Sequence, residues 1–161
     1  MTDDPKGRAP FQVLVLPFRQ TGDGLRYALF RRADRGCWQG VAGGGGAGES
    51  PMKAARREAA EEADLDGDLD FVELDSRATI PVVYVTGEFT WGPDVLVIPE
   101  FAFGVRVDSP ELTLSNEHTE YRWFAFDAAM TAVQWDSNRS ALWELDHRLH
   151  RAGRDGLTAR S

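Results

Sequence analysis

The chain has 161 residues, 42% hydrophobic and 27% charged, a size and composition that suit one folded domain and leave no room for a second. With 26 Asp and Glu against 18 Lys and Arg the formal charge is −8, which excludes a protein whose main work is to grip nucleic acid through its phosphates. An acidic chain that took an anionic ligand would need metal cations. Cys37 is the only cysteine, so no internal disulfide can form. The N-terminal MTDDPKGRAP has neither the basic start nor the apolar run of a secretory signal. The longest apolar runs, 13–16 and 95–98, fall far below the roughly 20 residues that span a bilayer. A cytoplasmic protein without a membrane or nucleic-acid partner is expected.

In chain order, residues 1–10 are polar and interrupted by Pro5, Gly7 and Pro10. They read as a flexible tail, as do residues 151–161, so that the folded unit runs over 11–150. Residues 11–18 and 27–31 read as strands joined through the turn cluster 20–24. Residues 41–48 are almost all glycine and read as a loop. Ser50-Pro51 supplies a cap and a first-turn proline for a helix over 52–63, rich in Ala, Arg and Glu. Strands are expected at 78–85 and 95–107, where β-branched and aromatic residues gather, and at 121–126. After a short connection through 127–130, with Ser137 as a cap, a helix over 139–150 carries Leu142, Leu145 and Leu149 on one stripe. Strands and helices in this order suggest an α/β (α+β) fold, a mixed sheet with helices on its faces.

The chemistry concentrates in Gly43-Gly-Gly-Gly-Ala-Gly-Glu49 and Arg57-Glu58-Ala59-Ala60-Glu61-Glu62-Ala63-Asp64-Leu65. At about 100° per residue, Glu58, Glu61 and Glu62 share one helix face. Glu58 and Glu62 repel each other there, a penalty removed by a divalent cation, and oxygen ligands of this kind suit Mg²⁺ or Mn²⁺. Taken alone, a Glu-rich helix face of this kind is usually a solvated one. The glycines upstream shift that balance, because a glycine loop entering a helix can approach phosphate or metal with its backbone.

The run resembles the Nudix box, G-x5-E-x7-R-E-U-x-E-E-x-G-U with U a bulky aliphatic residue: Gly43, Glu49, Arg57, Glu58, Glu61, Glu62 and Leu65 match in register over 23 residues. Ala59 is smaller than the usual aliphatic, and Asp64 stands where glycine normally ends the helix. Asp tolerates that left-handed position well, so a modest loss of stability and little change in chemistry is expected. The resemblance implies a Nudix-type α/β/α sandwich with a mixed central sheet and a catalytic loop-helix-loop. It also implies hydrolysis of a nucleoside diphosphate linked to another group. Carried onto this chain, Glu58, Glu61 and Glu62 become metal ligands and catalytic carboxylates. A carbonyl near Gly43 becomes a further ligand, and Glu49 and Arg57 a structural pair holding the loop to the helix.

Arg26, Arg31, Arg32 and Arg35 against Asp34 give a net +3 within residues 26–35, so Arg31 or Arg32 is expected to hold substrate phosphate, with only one of two strand neighbours facing inward. A solvated strand edge would look the same. Many Nudix enzymes draw a further ligand or base from an E-H-x-x-Y-[RK]-W run. Glu117 fits that acid here, Glu120 is the alternative, and His118 reads as a hydrogen-bonding loop residue. Trp38-Gln39 and Trp135-Asp-Ser-Asn-Arg139 are similar to segments of the bacterial dihydroneopterin triphosphate pyrophosphatases, also called dATP pyrophosphohydrolases. Trp135 would then stack on a purine or pterin ring, or else sit in the core, and Asn138 would read a ring edge. The function so implied is Mg²⁺-dependent hydrolysis of a nucleoside or pterin triphosphate to monophosphate and pyrophosphate, in a monomer or homodimer. The alternatives are a Nudix hydrolase of dinucleoside polyphosphates or nucleotide sugars, and a non-catalytic Nudix-fold ligand-binding module.

Overall fold

The computed structural model describes residues 7–160 except Thr86 and Glu88. Seven strands form one mixed sheet: β1 (Arg8–Thr21), β2 (Gly24–Arg32), β3 (Trp38–Gln39), β4 (Val41–Gly46), β5 (Phe71–Pro81), β6 (Val97–Arg106) and β7 (His118–Phe124). The path is β3-β2-β1-β6-β5, with β4 added to β1 and β7 to β2. Among the described strands only the β1–β6 pairing is parallel. Helices α1 (Pro51–Ala63), α2 (Phe126–Ala132) and α3 (Asp136–Arg160) cover the two faces. No described helix is long and apolar enough to cross a membrane.

Strand β1 explains the layering. Its run from Val13 to Phe18 is buried on both faces. Val13 and Val15 pack beneath α1 with Ala54, Ala55 and Ala59. Leu14, Leu16 and Phe18 pack on the other face with Leu142 and Leu145 of α3. A strand that feeds two cores reads as continuous hydrophobicity instead of alternation. Because β1 also takes β4 on one edge and parallel β6 on the other, it ties together segments far apart in sequence.

Helix α1 begins and ends as its sequence directs. Ser50 accepts a hydrogen bond from the Lys53 N–H at 3.2 Å and Pro51 opens the first turn. At the far end Asp64 takes φ 55°, ψ 37°, and its N–H returns to the Ala60 carbonyl at 3.0 Å, the bond of an αL motif formed here without glycine, while the Leu65 N–H reaches the Ala59 carbonyl at 3.2 Å. Asp64 is the only described non-glycine residue with positive φ.

Five expectations change. Residues 41–46 form a strand, not a loop, because β1 gives their backbone a ladder to join. The strand expected to reach residue 85 ends at Pro81 in a 3-10 turn over Val82–Tyr84. Residues 126–132 form α2, where only a connection was expected. Helix α3 starts at Asp136 and runs through Arg160, which places Ser137 inside the first turn instead of at a cap. Of the tails expected at 1–10 and 151–161, residues 8–10 belong to β1 and 151–160 to α3, while 1–6 and 161 lie outside the described residues.

Candidate active site

Glu49 and Arg57 brace the turn between β4 and α1. Arg57 donates to Glu49 through Nε and Nη2 at 2.8 and 2.9 Å and to the Gly44 carbonyl at 2.8 Å. Glu49 in turn accepts from the Gly46 N–H at 2.8 Å. A planar guanidinium facing a carboxylate with two bonds fixes orientation as well as distance. Arg57 Nη1 also reaches Glu58 at 2.9 Å and Glu61 at 3.3 Å, so one arginine locates both the strand and the acidic helix face.

The glycines of β4 are needed for space. A Cβ on Gly43 would lie 2.1 Å from the Glu58 carboxyl carbon, and one on Gly44 would lie 2.1 Å from the Arg8 guanidinium. The backbone therefore passes directly beneath the Glu58 carboxylate. Burial, offset by Arg57 and reinforced by Glu61 and Glu62, pushes Glu58 up to about 7. Burial together with the neighbouring Glu62 carboxyl raises Glu117 as well. Glu62 is buried and accepts from the Ser115 hydroxyl at 2.6 Å. His118 Nδ1 stands 3.6 Å from the same carboxylate, and burial lowers its pKa.

This donor set fits a hard divalent cation: carboxylate oxygens crowded against one another, with a strand backbone at van der Waals limit and no Cβ between. Among the described residues no three acidic, histidine or cysteine groups already stand at metal-holding spacing. Glu58 is engaged by Arg57 and Glu62 by Ser115, and those bonds must give way for ligation.

A cavity of about 680 Å³ runs from these carboxylates to a second group of residues. Segment 133–138 is held beside β3: Val133 bridges Trp38, and the Gln134 N–H donates to the Trp38 carbonyl at 3.2 Å. Trp135 Nε1 then donates to Gln39 Oε1 at 3.1 Å, and the Gly40 N–H donates to Asn138 Oδ1 at 2.8 Å. Tyr84 lies 6.1 Å from Trp135 between ring centroids, and the Arg35 guanidinium sits 5.7 Å from the Tyr84 ring and 5.9 Å from the Trp135 ring.

The structure brings Gly43, Glu58, Glu61, Glu62, Glu117, Arg32, Trp135 and Asn138 to the cavity wall. Arg31 is absent from it. Its guanidinium bonds the Gly36 carbonyl at 3.2 Å and Glu120 at 3.4 Å on the outer side. Glu120 pairs with Arg31 and Arg122, away from the carboxylate cluster. Arg32 lines the cavity while held by Asp34 through bonds of 2.8 and 2.7 Å. Trp135 is half-buried and belongs to the wall, not the core. Asn138 has its carbonyl oxygen committed to Gly40 and its amide nitrogen donating to the Ser137 hydroxyl at 3.4 Å, which leaves one amide N–H rather than a donor-acceptor pair for a ligand. Sequence reading missed Arg8, Gln12, Tyr84 and Glu100, all on the wall. Arg8 falls within the expected tail, and Tyr84 within an expected strand. The period-2 pairing of 12 with 14 and of 100 with 102 is the one signal that could have found Gln12 and Glu100.

A NUDIX domain model matches residues 10–143. No curated protein matches the sequence. Among solved structures, a NUDIX hydrolase from Listeria monocytogenes is 40% identical, with TM-score 0.80 over 89% of this chain and 97% of that one. Escherichia coli dihydroneopterin triphosphate pyrophosphohydrolase is 25% identical, with TM-score 0.69 over 84% and 94%. A Caenorhabditis elegans Ap4A hydrolase, 17% identical with TM-score 0.69 over 88% and 98%, shares the fold. With its acidic helix intact, the chain belongs to the NUDIX domain family and is a hydrolase of phosphoanhydride bonds.

Proposed function

We propose that the protein hydrolyses a nucleoside or pterin triphosphate to the monophosphate and pyrophosphate with the help of Mg²⁺, for which Mn²⁺ can substitute. The observation that carries this reading is the single cavity that joins the carboxylates of α1 to Trp135, Tyr84 and Arg35. A phosphate chain at one end and a flat ring at the other match a triphosphate carrying a heterocycle.

Glu58, Glu61, Glu62 and Glu117, with the Gly43 carbonyl, would hold the cation. When bound, it supplies charge neutralisation for the phosphates and acidifies water. Arg8 and Arg32 lie on the wall where phosphate oxygens would pass, and a guanidinium can hold two of them at once. Glu117, whose pKa is raised by burial and by Glu62, is suited to accept the proton of the attacking water. Trp135, fixed through Gln39, offers its face to the ring. The test is a hydrolysis screen with and without Mg²⁺ over dihydroneopterin triphosphate, NTPs and dNTPs, dinucleoside polyphosphates and ADP-ribose, with products identified. Pyrophosphate plus a monophosphate from a triphosphate supports the reading. Turnover confined to dinucleoside polyphosphates or ADP-ribose, or binding without turnover, refutes it.

A further inference from the structure

Glu100 is a carboxylate with 4% of its surface exposed, set in the middle of a sheet. It stands opposite Gln12 in the parallel β1–β6 register and opposite Ala78 in the β5–β6 register. Residues 14 and 102 of the same strands pack in the core beneath α3, so by alternation Gln12 and Glu100 share that face. Gln12 Nε2 donates to Glu100 Oε2 at 2.8 Å, and the Ser137 hydroxyl in the first turn of α3 donates as well. Both partners are neutral. Burial raises the pKa of Glu100 against the effect of these two bonds, the mark of a carboxylate short of donors.

A buried charge without a cation is expensive to keep, and a strand position facing a helix would normally carry an apolar residue. Glu100 lines the same cavity as Trp135, Gln39 and Asn138, so its unused acceptor capacity is open to a ligand. An ionised carboxylate accepts at about four lone-pair positions. Gln12 and Ser137 use two, and two remain.

We propose that Glu100 selects the heterocycle by accepting from two adjacent N–H donors, the ring N–H and exocyclic amino group of a 2-amino-4-oxo pyrimidine edge. Guanine and pterin rings share that edge. Adenine and cytosine offer an amino group beside a ring acceptor, and uracil and thymine offer one N–H between two carbonyls; none presents two donors side by side. This assignment rests on the triphosphate reading above and deepens it from phosphate chemistry to ring identity.

The experiment compares kcat/KM for GTP, ITP, ATP and dihydroneopterin triphosphate in the wild type and in Glu100→Gln, with Mg²⁺ and thermal midpoints recorded. ITP is GTP without the 2-amino group. The wild type should prefer GTP to ITP by about tenfold or more, equivalent to about 1.4 kcal/mol. In Glu100→Gln the amide keeps one acceptor oxygen and presents N–H to N–H, so the GTP-to-ATP ratio should fall by about tenfold or more. The larger of the wild-type values for GTP and dihydroneopterin triphosphate tells guanine from pterin as the ring source. Equal use of GTP and ITP by the wild type, or a proportional loss on all four substrates in the variant, overturns the assignment while leaving the triphosphate reading intact. If no triphosphate is turned over, the triphosphate reading fails. Equilibrium titration with the α,β-methylene analogues of GTP, ITP and ATP then decides the ring assignment by the same ratios in Kd.

Discussion

The two ends of the cavity are built in opposite ways. At the carboxylate end, Gly43, Glu49, Arg57, Glu58, Glu61 and Glu62 come from one strand, one turn and one helix, and Arg57 ties them with five bonds to its own neighbourhood. At the ring end, Gln12, Gln39, Tyr84, Glu100, Trp135 and Asn138 arrive from separate elements, brought together by the β1–β6 pairing and by the seat of segment 133–138 beside β3. Local construction fixes chemistry that does not depend on the substrate's identity. Long-range construction leaves recognition free to vary through single residues on a constant frame.

If that division holds, the two ends should fail differently. The largest effect is expected at Glu62: Glu62→Gln, like Glu58→Gln, should lower kcat by about a hundredfold or more through loss of a charged metal ligand. Circular dichroism and the thermal midpoint of the variant should stay near wild type. Next comes Glu117→Gln, with kcat down by about a hundredfold and KM within a few-fold, as suits a group that acts on the water. Kinetics at saturating Mg²⁺ check both. Glu120→Gln, whose partners Arg31 and Arg122 lie outside the cavity, should change kcat by less than about threefold, since exposed pairs contribute little. A reversed ranking would move the role three residues along.

How much of this was readable in the chain follows the same division. The spacing from Gly43 to Leu65 is a local code, so the acidic face, the Ser50-Pro51 start and the left-handed stop at Asp64 could all be read from neighbours in sequence. The fold class could be read as well, since alternating strands and helices admit few layers. Glu100 and Gln12 carry no local mark: each is a polar residue beside an apolar run, and only the register of their two strands makes partners of residues 88 positions apart. Tyr84 looked like part of a strand, and becomes a wall residue because the chain leaves the sheet after Pro81. The glycines of β4 read as a loop in the sequence because glycine opposes strand formation on its own. What overrides that is tertiary: Glu58, Arg8 and the Phe11 ring occupy the places their side chains would fill.

A smaller perturbation sharpens the picture of the ring end. Helix α3, whose first turn carries Ser137 and Asn138, is clipped to β5 by Glu144. Burial would raise this carboxyl, but the N–H groups of Asp75 and Ser76, the Ser76 hydroxyl and Arg148 hold it down at about 2. The folded pKa is depressed, so the stabilisation is complete above the ordinary glutamate range near 4.5 and is lost as pH falls through it toward 2. Glu144→Gln should cost on the order of 2 kcal/mol at pH 7. In denaturant titrations the gap to wild type should narrow steadily below about pH 4.5. A gap that stayed constant down to pH 3 would show that the clip acts through packing alone.

The most direct test sets Trp135→Ala beside Glu62→Gln on the best triphosphate substrate, measuring kcat, KM and thermal midpoint for each. The account predicts separation: Glu62→Gln loses kcat with KM within a few-fold. Trp135→Ala raises KM by roughly fivefold to a hundredfold, the worth of one ring stack, with kcat and the midpoint little changed because the indole is only half-buried. A Trp135→Ala enzyme that melts much earlier and loses activity equally on every substrate would contradict it, because that is how a core tryptophan behaves, with about 3–5 kcal/mol of stability gone.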